Sequence, residues 1–108
     1  MDAKHAIPLK QDDIFKLCKQ AGLKPVTYPS SPEPDAQGLL PADPVIKVCI
    51  ARSIISGRVQ AGLTQSALAK EADISVSTLR RVEKARVSIS DPVAEKIEKA
   101  LQKHHIYI

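Results

Sequence analysis

Between Gly62 and Arg86 the sequence GLTQSALAKEADISVSTLRRVEKAR gives one local instruction twice. Leu63, Thr64 and Leu68 form the first instance; Ile74, Ser75 and Leu79 form the second. In each, a hydroxyl side chain accepts a hydrogen bond from the free N–H groups that begin a helix. The apolar residues on either side then fold together as a hydrophobic staple across the first turn. Two helix starts this close leave room only for a short helix and a tight turn between them. Leu68, Ala69 and Ala72 give the first helix an apolar face with a small residue at its centre, so that a second helix can cross it closely. Leu79 and Val82, three apart, turn the second helix inward and leave Val76, Ser77, Arg80, Arg81 and Lys84 outside.

Two short helices crossing at a turn, the second basic on its outer face, describe a helix-turn-helix. The run GLTQ-x-x-LA followed by IS-x-x-x-L-x-x-VE resembles the Cro and lambda-repressor-like (xenobiotic-response-element-type) helix-turn-helix family of phage and bacterial regulators. The resemblance covers about Ile50 to Leu101. It implies an all-α, compact domain of four to five helices that binds a double-stranded DNA operator as a homodimer. Carried over by position, the base-reading residues are Val76, Ser77 and Arg81, with Thr78 nearby, and the phosphate contacts are Thr64 and Gln65. Arg80, Lys84 and Arg86 add charge for the same backbone. The resemblance also implies a buried ion pair between Arg58 and Glu83, tying the preceding helix to the recognition helix. Two residues depart from the family pattern. Asp73 stands where the family prefers a glycine at positive φ, and Asp tolerates that conformation better than most residues. Ala85 replaces a second customary glycine, for which we expect a longer recognition helix or a shifted loop.

Upstream of the motif, residues 44–61 read as one helix opened by Asp43 as cap and Pro44 in its first turn. Ile46, Ile50, Ile54, Gly57 and Ala61 form one stripe, which the resemblance implies faces the helix-turn-helix; Val48, Ile55 and Val59 form a second stripe nearly opposite. A helix apolar on two faces is normally buried on both. Downstream, Ser90 or Asp91 caps a last helix in which Val93, Ile97, Ala100 and Leu101 close the core, and the tail HHIYI is apolar enough to pack. Residues 44–108 thus form the DNA-binding domain.

Residues 1–24 read as a loose arm, interrupted by Pro8, and a short helix capped by Asp12 or Asp13 and stopped at Gly22. Ile14, Leu17, Cys18 and Ala21 share one face of that helix, which is too short to stand alone in water. Residues 25–43 are rich in proline and are expected to be an extended linker rather than packed structure. The simplest arrangement lets the orphan face of the first helix cover the second stripe at Val48, Ile55 and Val59, within one chain or between subunits.

Charge follows the same division. Residues 1–44 hold five Lys and six acids, a balance of −1, whereas residues 45–108 hold eleven Lys and Arg against six acids, a balance of +5. The positive excess lies with the module that must face phosphates. Cys18 and Cys49 are isolated from one another and from His at ligand spacing, and lie among Ile, Leu or Val, so buried free thiols are expected. His104 and His105 read as polar cover at the chain end, and no metal or cofactor is expected. No His/Cys/Asp constellation, no Gly-rich phosphate loop and no pair of enclosed carboxylates competes with DNA binding, so an enzyme is not expected. Without a signal peptide or an apolar run of membrane-spanning length, a cytoplasmic protein, associated with the nucleoid when on DNA, is expected. Within this reading a narrower one makes the chain a repressor serving as the antitoxin of a toxin–antitoxin pair, with the toxin protein as its second partner. The alternative from another class is a protein-interaction module whose DNA binding is incidental.

Overall fold

The computed structural model describes residues 10–30, 32–39, 42–87 and 89–107. Among the described residues five helices follow one another: α1 (Gln11–Ala21), α2 (Ala42–Gln60), α3 (Gln65–Glu71), α4 (Val76–Glu83) and α5 (Asp91–Gln102). The fold is all-α, as the periodicities require. The expected arm and Pro8 lie in residues 1–9, outside the described residues.

Local chemistry accounts for most helix boundaries. Thr64 and Ser75 cap α3 and α4 by accepting from the backbone N–H groups of Ala67 and Thr78. Ser90, not Asp91, caps α5, accepting from Val93 N–H, and Pro92 sits in the first turn. Two start signals differ from expectation. The residue before α1 is Lys10, with no side-chain cap, and Asp12 and Asp13 lie inside the first turn, where their charge complements the helix dipole. Helix α2 begins at Ala42, so Asp43 is likewise an acid of the first turn rather than the cap.

All five helices end in one way. Within three residues of each helix end one residue takes a left-handed conformation: Gly22 (φ 70°), Gly62 (φ 71°), Asp73 (φ 55°), Ala85 (φ 57°) and His105 (φ 62°). In each case paired backbone bonds reach back over the last turn, as in Arg86 N–H to Arg81 C=O and Ala85 N–H to Val82 C=O. This is the Schellman arrangement, which satisfies carbonyls that would otherwise end the helix unpaired. The expectation of a longer recognition helix at Ala85 is therefore corrected: α4 stops at Glu83, and Ala85 adopts the conformation glycine would have taken.

Two apolar clusters flank α2. The larger joins Ile54 to Leu68 and Ala69 of α3 and its C-cap Ala72, to Leu79 and Val82 of α4, and to Ile97, Ala100 and Leu101 of α5. Ile106 of the tail packs against it. The smaller joins Ile55 and Val59 of α2 to Ile14 and Cys18 of α1, with Leu17, Leu23, Val26 and Tyr28 around them. Helix α1 thus covers the second stripe of α2 within one chain. Val48 is also buried, while Ala21, expected on the covered face, is exposed. Of the two free cysteines, Cys18 is buried as expected, but Cys49 is exposed. It lies on the face of α2 that carries Ile46, which was expected to face the helix-turn-helix and is instead 53 % exposed, one turn before the first α2 residue that reaches the larger cluster, Ile50.

Part of the expected linker is packed. Residues 23–30 form no helix, yet Val26 and Tyr28 close the smaller cluster. Gln11 fastens this segment from two sides, donating to Val26 C=O at 2.8 Å and accepting from Tyr28 N–H at 2.7 Å. Arg52 of α2 donates to Pro29 C=O at 3.0 Å and lies 5.7 Å from the Tyr28 ring centroid. Proline suits such a strap, because the contacts that hold it use the carbonyls of Val26 and Pro29 and the N–H of Tyr28, none of which a proline N–H would supply. Past the strap, Asp35 folds a local turn by accepting from Gln37 and Leu39 N–H.

Two measurements test this packing. Ile14 is fully buried between α1 and α2, so Ile14→Ala should cost about 2–5 kcal/mol of stability in urea unfolding. An unchanged midpoint would mean that α1 is not part of the cooperative unit. Ala85→Gly should stabilise the protein by up to about 1 kcal/mol, because glycine occupies the left-handed region without the side-chain clash.

Candidate nucleic-acid interface

The helix-turn-helix is held by a buried ion pair. Arg58 Nε donates to Glu83 Oε2 at 2.8 Å and Arg58 Nη2 donates to Glu83 Oε1 at 3.0 Å, a two-point contact between α2 and α4. Both side chains are only 3 % exposed. The remaining guanidinium nitrogen, Nη1, donates to Leu63 C=O at 3.0 Å, fixing the turn into α3. Gln65, the first residue of α3, donates through Nε2 to Glu83 Oε1 at 3.1 Å. Arg80 on α4 then donates through Nε to Gln65 Oε1 at 3.4 Å. One network therefore links α2, the turn, α3 and α4. Charge-assisted, two-point bonds of this kind set orientation as well as distance.

Helix α4 is oriented so that its core side carries Leu79, Val82 and Glu83, all buried. Ser77 and Arg81 are both exposed, and their separation of four places them on one face. Thr78 is half-buried, with its hydroxyl 2.8 Å from that of Ser75. Val76 departs from the sequence reading, which placed it outside: it is half-buried and packs against the larger core cluster. The cause lies in the staple geometry, since Ile74 and Leu79 draw the start of α4 onto the core. Arg80 and Lys84, exposed and also four apart, form a second row.

Arg80 and Lys84 line a crevice of about 680 Å³ together with Thr64, Gln65 and Ser66 at the start of α3. Four of the five residues expected to face phosphates thus meet along one wall. The fifth, Arg86, is exposed just beyond the turn at Ala85. Gln65 has a second role that sequence reading missed, because its amide is engaged by Glu83 and Arg80. Ser66 was missed as well; its place beside Thr64 and Gln65 was the available signal. At the α3–α4 turn, Lys96 of α5 donates to Asp73 C=O at 3.5 Å, bracing the left-handed residue.

His104 Nε2 lies 2.9 Å from Glu71 Oε2, joining the chain end to α3, and no group of three or more metal-ligating side chains occurs among the described residues. Nor is any helix among them long and apolar enough to cross a membrane.

Capped α3, the turn at Asp73, and α4 with an exposed basic face define a DNA-binding helix-turn-helix protein. The profile of the helix-turn-helix family matches residues 54–108. The chain belongs to that family, the lambda-repressor and Cro-like type of helix-turn-helix protein. No curated protein and no solved structure matches the chain significantly.

The ion pair yields a sharp expectation. Glu83→Gln or Arg58→Met leaves a charge buried without its partner and should cost about 3–5 kcal/mol. The double variant Arg58→Met/Glu83→Leu should recover much of that loss, measured by urea unfolding. A loss below about 1 kcal/mol for both single variants would be the behaviour of a surface pair instead.

Proposed function

We propose that the protein is a sequence-specific transcriptional repressor that binds a double-stranded DNA operator as a homodimer, with α4 in the major groove. The observation that carries this is the pairing of an exposed Ser77–Arg81 face on α4 with a buried network that fixes α4 against α3 and α2. A helix that enters the groove must present its base-reading side chains at a set angle, and the network sets that angle. Arg81 has the fork geometry to pair with both acceptors of a guanine. Ser77 and Thr78 can bond to several base edges, and Val76, set back against the core, is left to touch a thymine methyl from the helix start. Thr64, Gln65, Arg80, Lys84 and Arg86 contact the sugar–phosphate backbone on either side. These contacts position the helix and carry the salt dependence, while the base contacts carry specificity.

The surface of α2 and α5 favours a dimer. Cys49, Ile50, Ile89, Ala94 and Ile97 line an apolar groove of about 270 Å³ between these helices. Ile46 lies exposed one turn along the same face. A second copy covering this groove would give the two half-site contacts that one small module lacks. The narrower antitoxin role draws on the small size, the basic charge and the appended segment. Since α1 places Ile14 and Cys18 on α2, a toxin would have to dock elsewhere, and repression alone accounts for more of the surface. The interaction-module alternative predicts no sequence preference at all.

Arg81→Ala should relax the preference at one base position by about 1–3 kcal/mol, whereas Arg86→Ala should weaken all sequences alike and lower the salt slope by about one. Both are read by binding to a sequence-selected and a random duplex across a salt series. Equal losses for Arg81→Ala on the two duplexes would remove Arg81 as a base reader. A wild-type protein with no sequence preference at moderate salt would favour the interaction module.

A further inference from the structure

The crevice beside α4 has two walls, and only one belongs to the helix-turn-helix. The first is formed by Thr64, Gln65, Ser66, Arg80 and Lys84. The other is the segment Gly22–Thr27, the strap that leaves α1. Lys24, exposed at its middle, lines the crevice together with Thr27. The strap is no loose tail at this point. Leu23 and Val26, on either side of Lys24, are packed into the smaller core cluster. Val26 C=O is also held by Gln11. Anchors on both sides fix where the Lys24 backbone runs.

The charge of the crevice is one-sided. Lys24, Arg58, Arg80 and Lys84 are its basic residues and Glu83 is its one acid. Glu83 is already neutralised by Arg58 and bonded by Gln65. Three cations from two separate parts of the chain, Lys24 from one and Arg80 and Lys84 from the other, therefore line one crevice with the hydroxyl residues Thr27, Thr64 and Ser66, and its one carboxylate is already paired. Like charges brought together in this way repel unless an anion lies between them.

We propose that the crevice receives one strand of the DNA backbone, and that Lys24 contacts a phosphate from the strap, as Arg80 and Lys84 do from the helix-turn-helix. This rests on the DNA-binding reading above and extends the interface into the segment that precedes the family domain. The appendage then has two tasks, covering α2 with its apolar face and gripping the DNA backbone with its strap. The contact is to phosphate, so it adds affinity without sequence preference.

The test uses the full-length protein and a random-sequence duplex of about 20 base pairs, with binding followed by fluorescence anisotropy over about 50–200 mM salt. Lys24→Ala should weaken binding about fivefold near 100 mM salt and lower the salt slope by about one. Lys24→Arg should bind as the wild type does, and Lys19→Ala, on exposed α1 outside the crevice, should change neither quantity. Thermal unfolding of Lys24→Ala should match the wild type, which separates lost contact from lost structure. If the wild type binds this duplex and Lys24→Ala binds it with the same affinity and slope, the second wall is not part of the interface. Equal losses for Lys19→Ala and Lys24→Ala would also overturn the proposal, as the effect of net charge alone. If the wild type fails to bind duplex DNA at the lowest salt, the DNA-binding reading itself falls, and this inference with it.

Discussion

The contact between Arg58 and Glu83 decides how the rest of this small protein can be arranged. Two opposite charges taken out of water lose a large solvation energy and recover it only if every donor and acceptor is well placed. Here the guanidinium meets both carboxylate oxygens, the turn carbonyl of Leu63 takes a further N–H, and Gln65 adds a third bond to the carboxylate. These requirements leave one workable placement of α4 relative to α2 and α3. An apolar contact would tolerate sliding, whereas a two-point ionic contact does not. Orientation of α4 is thus set inside the core, while Arg81 stays exposed on its outer face.

Helix α2 is the other organising element, because it must be buried on two sides. Ile54 faces the larger cluster, and Ile55 and Val59 face the smaller one. The helix-turn-helix can cover only the first. Helix α1 and its strap cover the second, fastened by Gln11, Arg52 and the apolar side chains of Leu23, Val26 and Tyr28. The strap therefore comes to lie beside the crevice at α3 and α4, although nothing in its own sequence points to nucleic acid. A need for core cover has placed a lysine where a phosphate backbone is expected.

The termini of the helices show how far local rules carry. Each helix among the described residues finishes with a left-handed residue and the same pair of backbone bonds, but glycine supplies it only at Gly22 and Gly62. At Asp73, Ala85 and His105 the tertiary structure holds a less suited residue in that conformation. Lys96, reaching from α5 to Asp73 C=O, shows one way this is done. At Ala85 sequence reasoning looked for a different ending, since an alanine alone gives no reason for the chain to turn. The turn is kept because the helix after it must still return to the core through Ile97 and Leu101.

From the sequence alone, the capping hydroxyls Thr64 and Ser75, their staples, and the second stripe of α2 determined the helix-turn-helix and the need for cover on two sides of α2. Those are short-range consequences of hydrogen-bond supply and helical period, and they fix the helix-turn-helix together with its outward Ser77 and Arg81. The Arg58–Glu83 pair was legible only through resemblance, since no local rule joins residues so far apart. Tertiary structure alone decided that Val76 turns toward the core and that Gln65 is drawn into the ion-pair network. It also decided that Cys49 stays exposed and that the proline-rich segment packs as a strap. Each of these depends on which distant surface lies across from the residue. Periodicity marks the face that a helix must bury, but only the folded chain determines what covers it.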